Sequence, residues 1–250
     1  MESLFKWLFL CGLAITLFAY FAKDRTPDPS FYDSFSLDAP IQTPTTEAPF
    51  KTTAEDQHYT IEPKFDYELY GVIVSYNDAD SIFDIWHHDK WKDYLNVRDI
   101  CVIWGDNVRN GVYLNMKFSN DSWTCWAYWP DQATRKRFDM TALSNNHLLV
   151  DEVTAKKALL SAETGDYIHL KGMLVSYLNP GNGFSRGTST VRTDTGNGAC
   201  ETVYLSEFEV INKANAGMRS FYQLAKWFTI LAMIGYVVAF FNAPVHQRYR

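Results

Sequence analysis

The sequence predicts an α+β fold: a mostly antiparallel curved sheet or small barrel-like domain with two helices, flanked by two transmembrane helices. Three observations predict it. Strongly apolar stretches occupy both ends of the chain, at 4–22 and 227–243. Between them, several short segments alternate apolar and polar residues with the period of two that a half-buried strand requires. Finally, Gly71-Val-Ile-Val-Ser-Tyr76 recurs as Gly172-Met-Leu-Val-Ser-Tyr177, each time after an alternating strand start. Glycine inside a strand marks a bend or a close backbone approach, as barrel corners need.

The first terminal segment, Leu4 to Ala22, approaches the ~20 apolar residues that cross a bilayer as a helix. Lys6 lies inside the apolar run, and cleavage after Ala22 would put Tyr20 where a signal peptide carries a small residue. An uncleaved anchor is therefore expected. Leu10 rather than a small residue precedes Cys11, so the cysteine reads as an apolar side chain and not as a lipid attachment point. Residues 23–60 carry Pro27, Pro29, Pro40, Pro44 and Pro49 without apolar periodicity, which predicts a disordered linker.

The globular α+β domain is expected over 61–212. Asp66–Asn77 alternates as a strand, and a helix is predicted from Asp80 to Leu95, with Ile82, Ile85 and Trp86 inward. Asp99–Gly105 reads as a short apolar strand, and Val112–Phe118 with Ser122–Trp129 as a hairpin. Asp151–Glu163 predicts the second helix, with Gly165 supplying a left-handed residue at its close. Strands follow at Tyr167–Tyr177, Ser189–Arg192 and Ala199–Ile211. The second span begins at Lys226 and Trp227, a snorkelling and aromatic interface pattern.

Two spans put both termini on one side. Lys6, Arg248 and Arg250 flank that side; Lys23, Arg25, Lys213, Arg219 and Lys226 flank the domain side, a count that favours a cytoplasmic domain. The positive-inside rule loses force for loops longer than ~60 residues, so charge leaves the orientation open. A net charge of −6, with Arg135-Lys136-Arg137 the only dense cationic run, argues against a nucleic-acid partner. Cys101 and Cys125 lie in predicted strands and pair if those strands are neighbours, which would suit an oxidising compartment.

The densest polar constellation runs from Arg186 through Arg192 and Asp194 to Glu201. Asp194-Thr-Gly196 is the aspartic-protease triplet, but the chain has no second one to share a proton with. A tight glycine turn, with Asp194 accepting backbone N–H groups and Arg192 paired locally, is the plainer expectation. Asp84 and His88 stand one turn apart on the first predicted helix, which a solvated acidic face explains as well as a metal. His147 would serve as a general base, or simply order the loop before the second helix; Cys200 is the nucleophile to pair with it. Trp123, Trp126, Tyr128 and Trp129 crowd one strand; exposed, they would form a stacking platform. No motif calls for a cofactor or a metal.

Several blocks, in order, resemble a family of uncharacterised bacterial proteins that are exported or membrane-anchored. They are Asp38-Ala-Pro-Ile-Gln42, Tyr67–Tyr76, Asp99–Gly105, Asn145-Asn-His-Leu-Leu149, Gly165–Val175 and Arg192-Thr-Asp-Thr-Gly-Asn-Gly-Ala-Cys-Glu201. The resemblance implies an N-terminal signal or anchor and a domain outside the cytoplasm, and no particular activity. The second span is a departure from that pattern.

The function expected from these readings is a non-enzymatic binding or assembly module of the bacterial envelope. It would be anchored twice in the inner membrane with a periplasmic domain, in contact with lipid and another membrane or envelope protein. The alternative is a membrane-anchored hydrolase or peptidase using Asp194, His147 or Cys200. Binding residues are expected among Arg186, Arg192, Asp194, Glu201, His147 and Trp126.

Overall fold

The computed structural model describes residues 2–79, 81, 86–196 and 198–243. In chain order its elements are helix α1 (Glu2–Lys23), strands β1 (Ile41–Pro44), β2 (Phe50–Ala54), β3 (Gln57–Asn77) and β4 (Asn96–Ile103), helix α2 (Asp106–Arg109), strands β5 (Lys117–Asn120) and β6 (Cys125–Tyr128), helix α3 (Gln132–Arg137), strand β7 (Leu143–Leu149), helix α4 (Val153–Ser161), strands β8 (Tyr167–Leu178), β9 (Ser185–Arg186) and β10 (Cys200–Asn212), and helix α5 (Ala216–Asn242). They form two compact units: Thr26–Ala214, and the two terminal helical segments.

The terminal unit is an antiparallel pair of helices, both long and apolar enough to cross a membrane. Small residues set their approach. Gly12 lies against Phe228 and Thr229, and Gly235 against the ring of Phe5, where added Cβ atoms would collide. Thr16 and Thr229 share a hydroxyl hydrogen bond of 2.9 Å, and Asn215 Nδ2 donates to the Lys23 carbonyl at 3.1 Å. Close packing at small residues with a polar contact is how helices associate in lipid. The second helix starts at Ala216, well before the apolar run at Trp227, so only Lys213–Asn215 separates it from β10.

The other unit is α+β, built on a large, curved, mostly antiparallel sheet. Its strand order is β1-β3-β4-β7-β10-β8-β9, with β2 on β3 and a further pairing of β3 with β8. β7 and β10 run parallel; the other pairs are antiparallel. β3 is long enough to serve two neighbours, β8 over Thr60–Val72 and β4 over Val72–Asn77. Gly71 sits at that handover, where a Cβ would meet the Ile103 carbonyl oxygen at 2.8 Å. Gly172 holds the equivalent place on β8, its missing Cβ facing the Tyr204 carbonyl. The two copies of the echoed sequence thus put glycine where backbones approach closely.

One face of the central strands packs Ile100, Leu148, Leu170 and Val203 with Ala155 and Leu159 of α4 into the main core. On the other, Val72, Cys101, Ile103 and Tyr167 gather a second core with Tyr32, Leu37 and Tyr113. This second core explains a departure from the expected linker at 23–60. Within it the aromatic residues Phe31, Tyr32 and Phe35 dock, and β1 and β2 pair with β3. Tyr32 Oη donates to the Gly165 carbonyl at 2.7 Å, and Tyr113 Oη to the Pro27 carbonyl at 2.6 Å. Proline content signalled the absence of helix; it did not signal the absence of packing.

Other elements differ locally. Asp80 and 82–85 of the first predicted helix lie outside the described residues, as does Asp84 of the notional Asp84–His88 pair; Trp86–Lys90 forms one π turn. Val112–Asn115 is a 3-10 turn after left-handed Gly111, so the hairpin strand begins only at Lys117. Ser189–Arg192 is not a strand, because the Ser189 hydroxyl turns the chain onto Asp194 at 2.5 Å. His147 lies inside β7, not in a loop.

Candidate functional site

A cavity of about 820 Å³ opens on the face of β7 and β10 opposite α4. The β5–β6 hairpin supplies a wall with Trp123, Trp126 and Trp129, and the loop between β9 and β10 supplies the facing wall with Gly187, Asp194 and Gly198. Disulfide-bonded Cys101 and Cys125, with Cα atoms 5.8 Å apart, tie β4 to that hairpin. Cys125 itself lines the cavity.

Strand alternation fixes what faces this space. The register places Asp99, His147 and Thr202 in one row across β4, β7 and β10, and Cys101, Asn145 and Cys200 in the next. His147 Nδ1 lies 2.6 Å from Asp99 Oδ1, and Asn96 Nδ2 donates to the same oxygen at 2.9 Å. Both members of the pair are buried, Asp99 completely. Burial pushes the Asp99 carboxyl up, but the His147 ring and the Arg186 guanidinium outweigh it and hold the group below its ordinary value. Burial pushes His147 down, and Arg186 adds to that against the pull of Asp99. The two directions agree on one state, a carboxylate beside a neutral imidazole. An ionised carboxylate only accepts, so Nδ1 carries the proton and Nε2 is left with its lone pair.

Arg186 closes the group. Its guanidinium stacks on the Trp123 ring at 4.3 Å, and Nη2 donates to the Ser122 carbonyl at 3.3 Å. Nη1 is 4.0 Å from Asp99 Oδ1, an electrostatic neighbour beyond hydrogen-bond range. Among the described residues, Nε and Nη1 are buried without a hydrogen-bond partner. Leaving donors of a charged group unmatched in the interior is costly.

Of the residues expected at the site, Arg186, His147, Asp194 and Trp126 line this one cavity, together with Cys200. No hydrogen bond links His147, Asp194 and Cys200 to one another among the described residues. Asp194 accepts the Ser189 hydroxyl. The Cys200 thiol receives a hydrogen bond from Asn145 Nδ2 at 3.5 Å, and burial pushes its pKa up. Trp126 is exposed, its indole N–H donating to Asp121 at 2.8 Å.

Arg192 and Glu201 are elsewhere. Glu201 stands opposite Asn146 in the register and so points to the α4 side, where Arg192 Nη2 meets its Oε1 at 2.6 Å. Arg192 Nη1 donates to the Tyr67 hydroxyl at 3.3 Å. Burial outweighs the arginine and pushes the Glu201 carboxyl up to about 7.

Asp99 and Asn145 belong to the site and were not singled out by sequence, whereas Trp123 was, as part of the expected stacking platform. The signal for Asp99 was present: a lone carboxylate opening the apolar strand that continues Ile100-Cys-Val-Ile-Trp104. A buried acid in such a strand needs a partner, and His147 is that partner.

No family model, no curated protein and no solved structure matches this chain.

Proposed function

We propose that the protein is a doubly membrane-anchored binding module whose ligand enters the cavity between the β5–β6 hairpin and the β9–β10 loop. The observation that carries this reading is the group at its floor. Asp99, His147 and Arg186 are fixed by strands and buried together; His147 and Arg186 line the cavity with Asp99 behind them, and the tryptophans line it too. A preformed concave site with a few polar groups among apolar walls is the usual form of a ligand pocket.

The pairings support reading the sheet as a small closed barrel: β3, β4, β7, β10, β8 and again β3 form a ring. That strand order, with a helix between the third and fourth ring strands of the chain, is like the five-stranded barrel of oligonucleotide- and oligosaccharide-binding domains, whose ligands lie on the second and third strands. This is analogy at the level of fold alone. The acidic chain argues against the nucleic-acid branch of it.

The two apolar helices and the disulfide favour a bacterial inner-membrane protein with its domain in the periplasm, in contact with another envelope component. A photocrosslinking residue in place of Trp126 in native membranes tests the binding reading, with one at exposed Val153 as the control. A discrete adduct from position 126 only is expected; none there, or the same adduct from both, removes the reading. Thiol labelling in intact cells, with and without reductant, tests sidedness: Cys101 and Cys125 should react from outside only after reduction.

The Asp99–His147 pair favours a second reading, a hydrolase with His147 as general base. Against it stands the thiol of Cys200, pushed up rather than activated. A Cys200 alkylation rate that levels off near neutral pH would reinstate the enzyme; continued rise beyond pH 9 is expected.

A further inference from the structure

We propose that the cavity takes a carboxylate carried on a flat ring, the carboxylate seated against Arg186 and the ring against the tryptophan wall. The inference rests on the reading of this cavity as the binding site. Arg186 is 94 % buried by side chain and backbone together, at a relative exposure of 6 %, yet among the described residues Nε and Nη1 have no hydrogen-bond partner. The obvious internal acceptor is already engaged: Asp99 Oδ1 takes the His147 ring at 2.6 Å and Asn96 at 2.9 Å, and stays 4.0 Å from Nη1. The guanidinium is therefore held over the Trp123 ring with donor capacity left over. Carboxylates meet that geometry with short, charge-assisted hydrogen bonds.

Charge selects a monoanion. Arg186 is the only arginine or lysine lining the cavity among the described residues, and Asp99 lies behind it. A phosphate dianion would add two negative charges where Asp99 behind the site and Asp194 on the wall already face one cation. The rest of the ligand is read from the walls. Trp123, Trp126, Trp129, Met140 and Leu143 offer flat and apolar surface, which suits the face of a sugar ring or an aromatic ring. A volume of about 820 Å³ has room for one or two such rings. An acidic sugar and an aromatic acid share this chemistry.

The test is tryptophan fluorescence of the full-length chain in detergent, titrated with glucuronate and benzoate against glucose, benzyl alcohol and phenyl phosphate. Saturable quenching by at least one acid is expected, with its uncharged counterpart and phenyl phosphate at least tenfold weaker. Which acid binds tells the sugar from the aromatic source. R186M should abolish the preference for acids. A second variant covers the case where R186M fails to fold: G187D adds a carboxylate to the cavity wall at a glycine whose Cβ would meet nothing within 4 Å. It should weaken the acid at least tenfold more than it weakens the uncharged counterpart. Acids and neutral counterparts binding alike would overturn the carboxylate while leaving the cavity a binding site. Quenching by none of the five overturns the proposal too, and an adduct at position 126 would then keep the binding reading alive with a different ligand.

Discussion

β7 and β10 carry a buried ionic group on each face, and the two are built on different principles. On the cavity face, Asp99 is held by His147 and Asn96, with Arg186 nearby. On the α4 face, Glu201 has Arg192 at 2.6 Å, and its Oε2 has no partner among the described residues. The first acid is over-supplied with donors and stays charged; the second is under-supplied, and burial pushes it to about 7. The surplus on the cavity face falls on the arginine, the group that can hand its donors to an arriving molecule. On the α4 face the shortage falls on the acid, which a proton cures. A ligand site and a structural ion pair can thus share two strands and be told apart by which partner is left wanting.

The largest expected effect breaks the cavity-side group. D99N leaves Arg186 buried without its neighbouring charge and changes the acceptor of His147. It should cost about 3–5 kcal/mol in chemical denaturation of the full-length protein. A loss under about 1 kcal/mol would mean that the group is not the integrated unit described.

Next is pH, which separates the two acids by sign. Glu201 is raised in the fold from 4.5 to about 7, so its favourable contribution is complete below pH 4.5 and lost as pH rises through about 7. The loss should reach about 3 kcal/mol at pH 8 and vanish in E201Q. Asp99 is depressed, so its contribution is present above its ordinary value of 3.8 and lost as pH falls below it. Melting temperature measured from pH 3 to pH 8 should therefore fall at both ends, and E201Q should flatten only the alkaline end.

R192M sharpens the same contrast more gently. With Glu201 ionised at pH 8 it should cost about 2 kcal/mol, and with Glu201 protonated at pH 5 less than about 1. An equal cost at both pH values would show that Arg192 stabilises by packing on Tyr67. Smallest is W126F on the exposed rim, expected within about 0.5 kcal/mol of wild type in stability. Its consequence should appear in ligand titration alone.

Much of the fold was legible because period and punctuation are local. α4, β8, β10 and the β5–β6 hairpin follow their apolar alternation and turns, and the glycine echo marked two close backbone approaches. The parts that were not legible depend on distant residues. Nothing near Tyr32 says that Gly165 will accept its hydroxyl, so a proline-rich stretch read as a linker. Nothing in Ser144–Leu149 alone makes it a central strand; four polar side chains there are tolerable only because neighbouring residues hydrogen-bond them. For the same reason Arg186, His147 and Asp194 were recognised singly while Asp99 was missed. Arg192 and Glu201 were grouped with the others by proximity in sequence, and strand alternation sends them to the opposite face.

The strand order has a consequence in time. β10 fills the slot between β7 and β8 and is the last strand synthesised. Until it arrives, two buried strands each wait with an unpaired edge, a hazard for mispairing with other chains. Only three residues then separate it from α5. Completion of the sheet and emergence of the final apolar helix are thus nearly simultaneous events in biogenesis. A truncation just before β10 should leave an aggregation-prone chain, whatever its anchor.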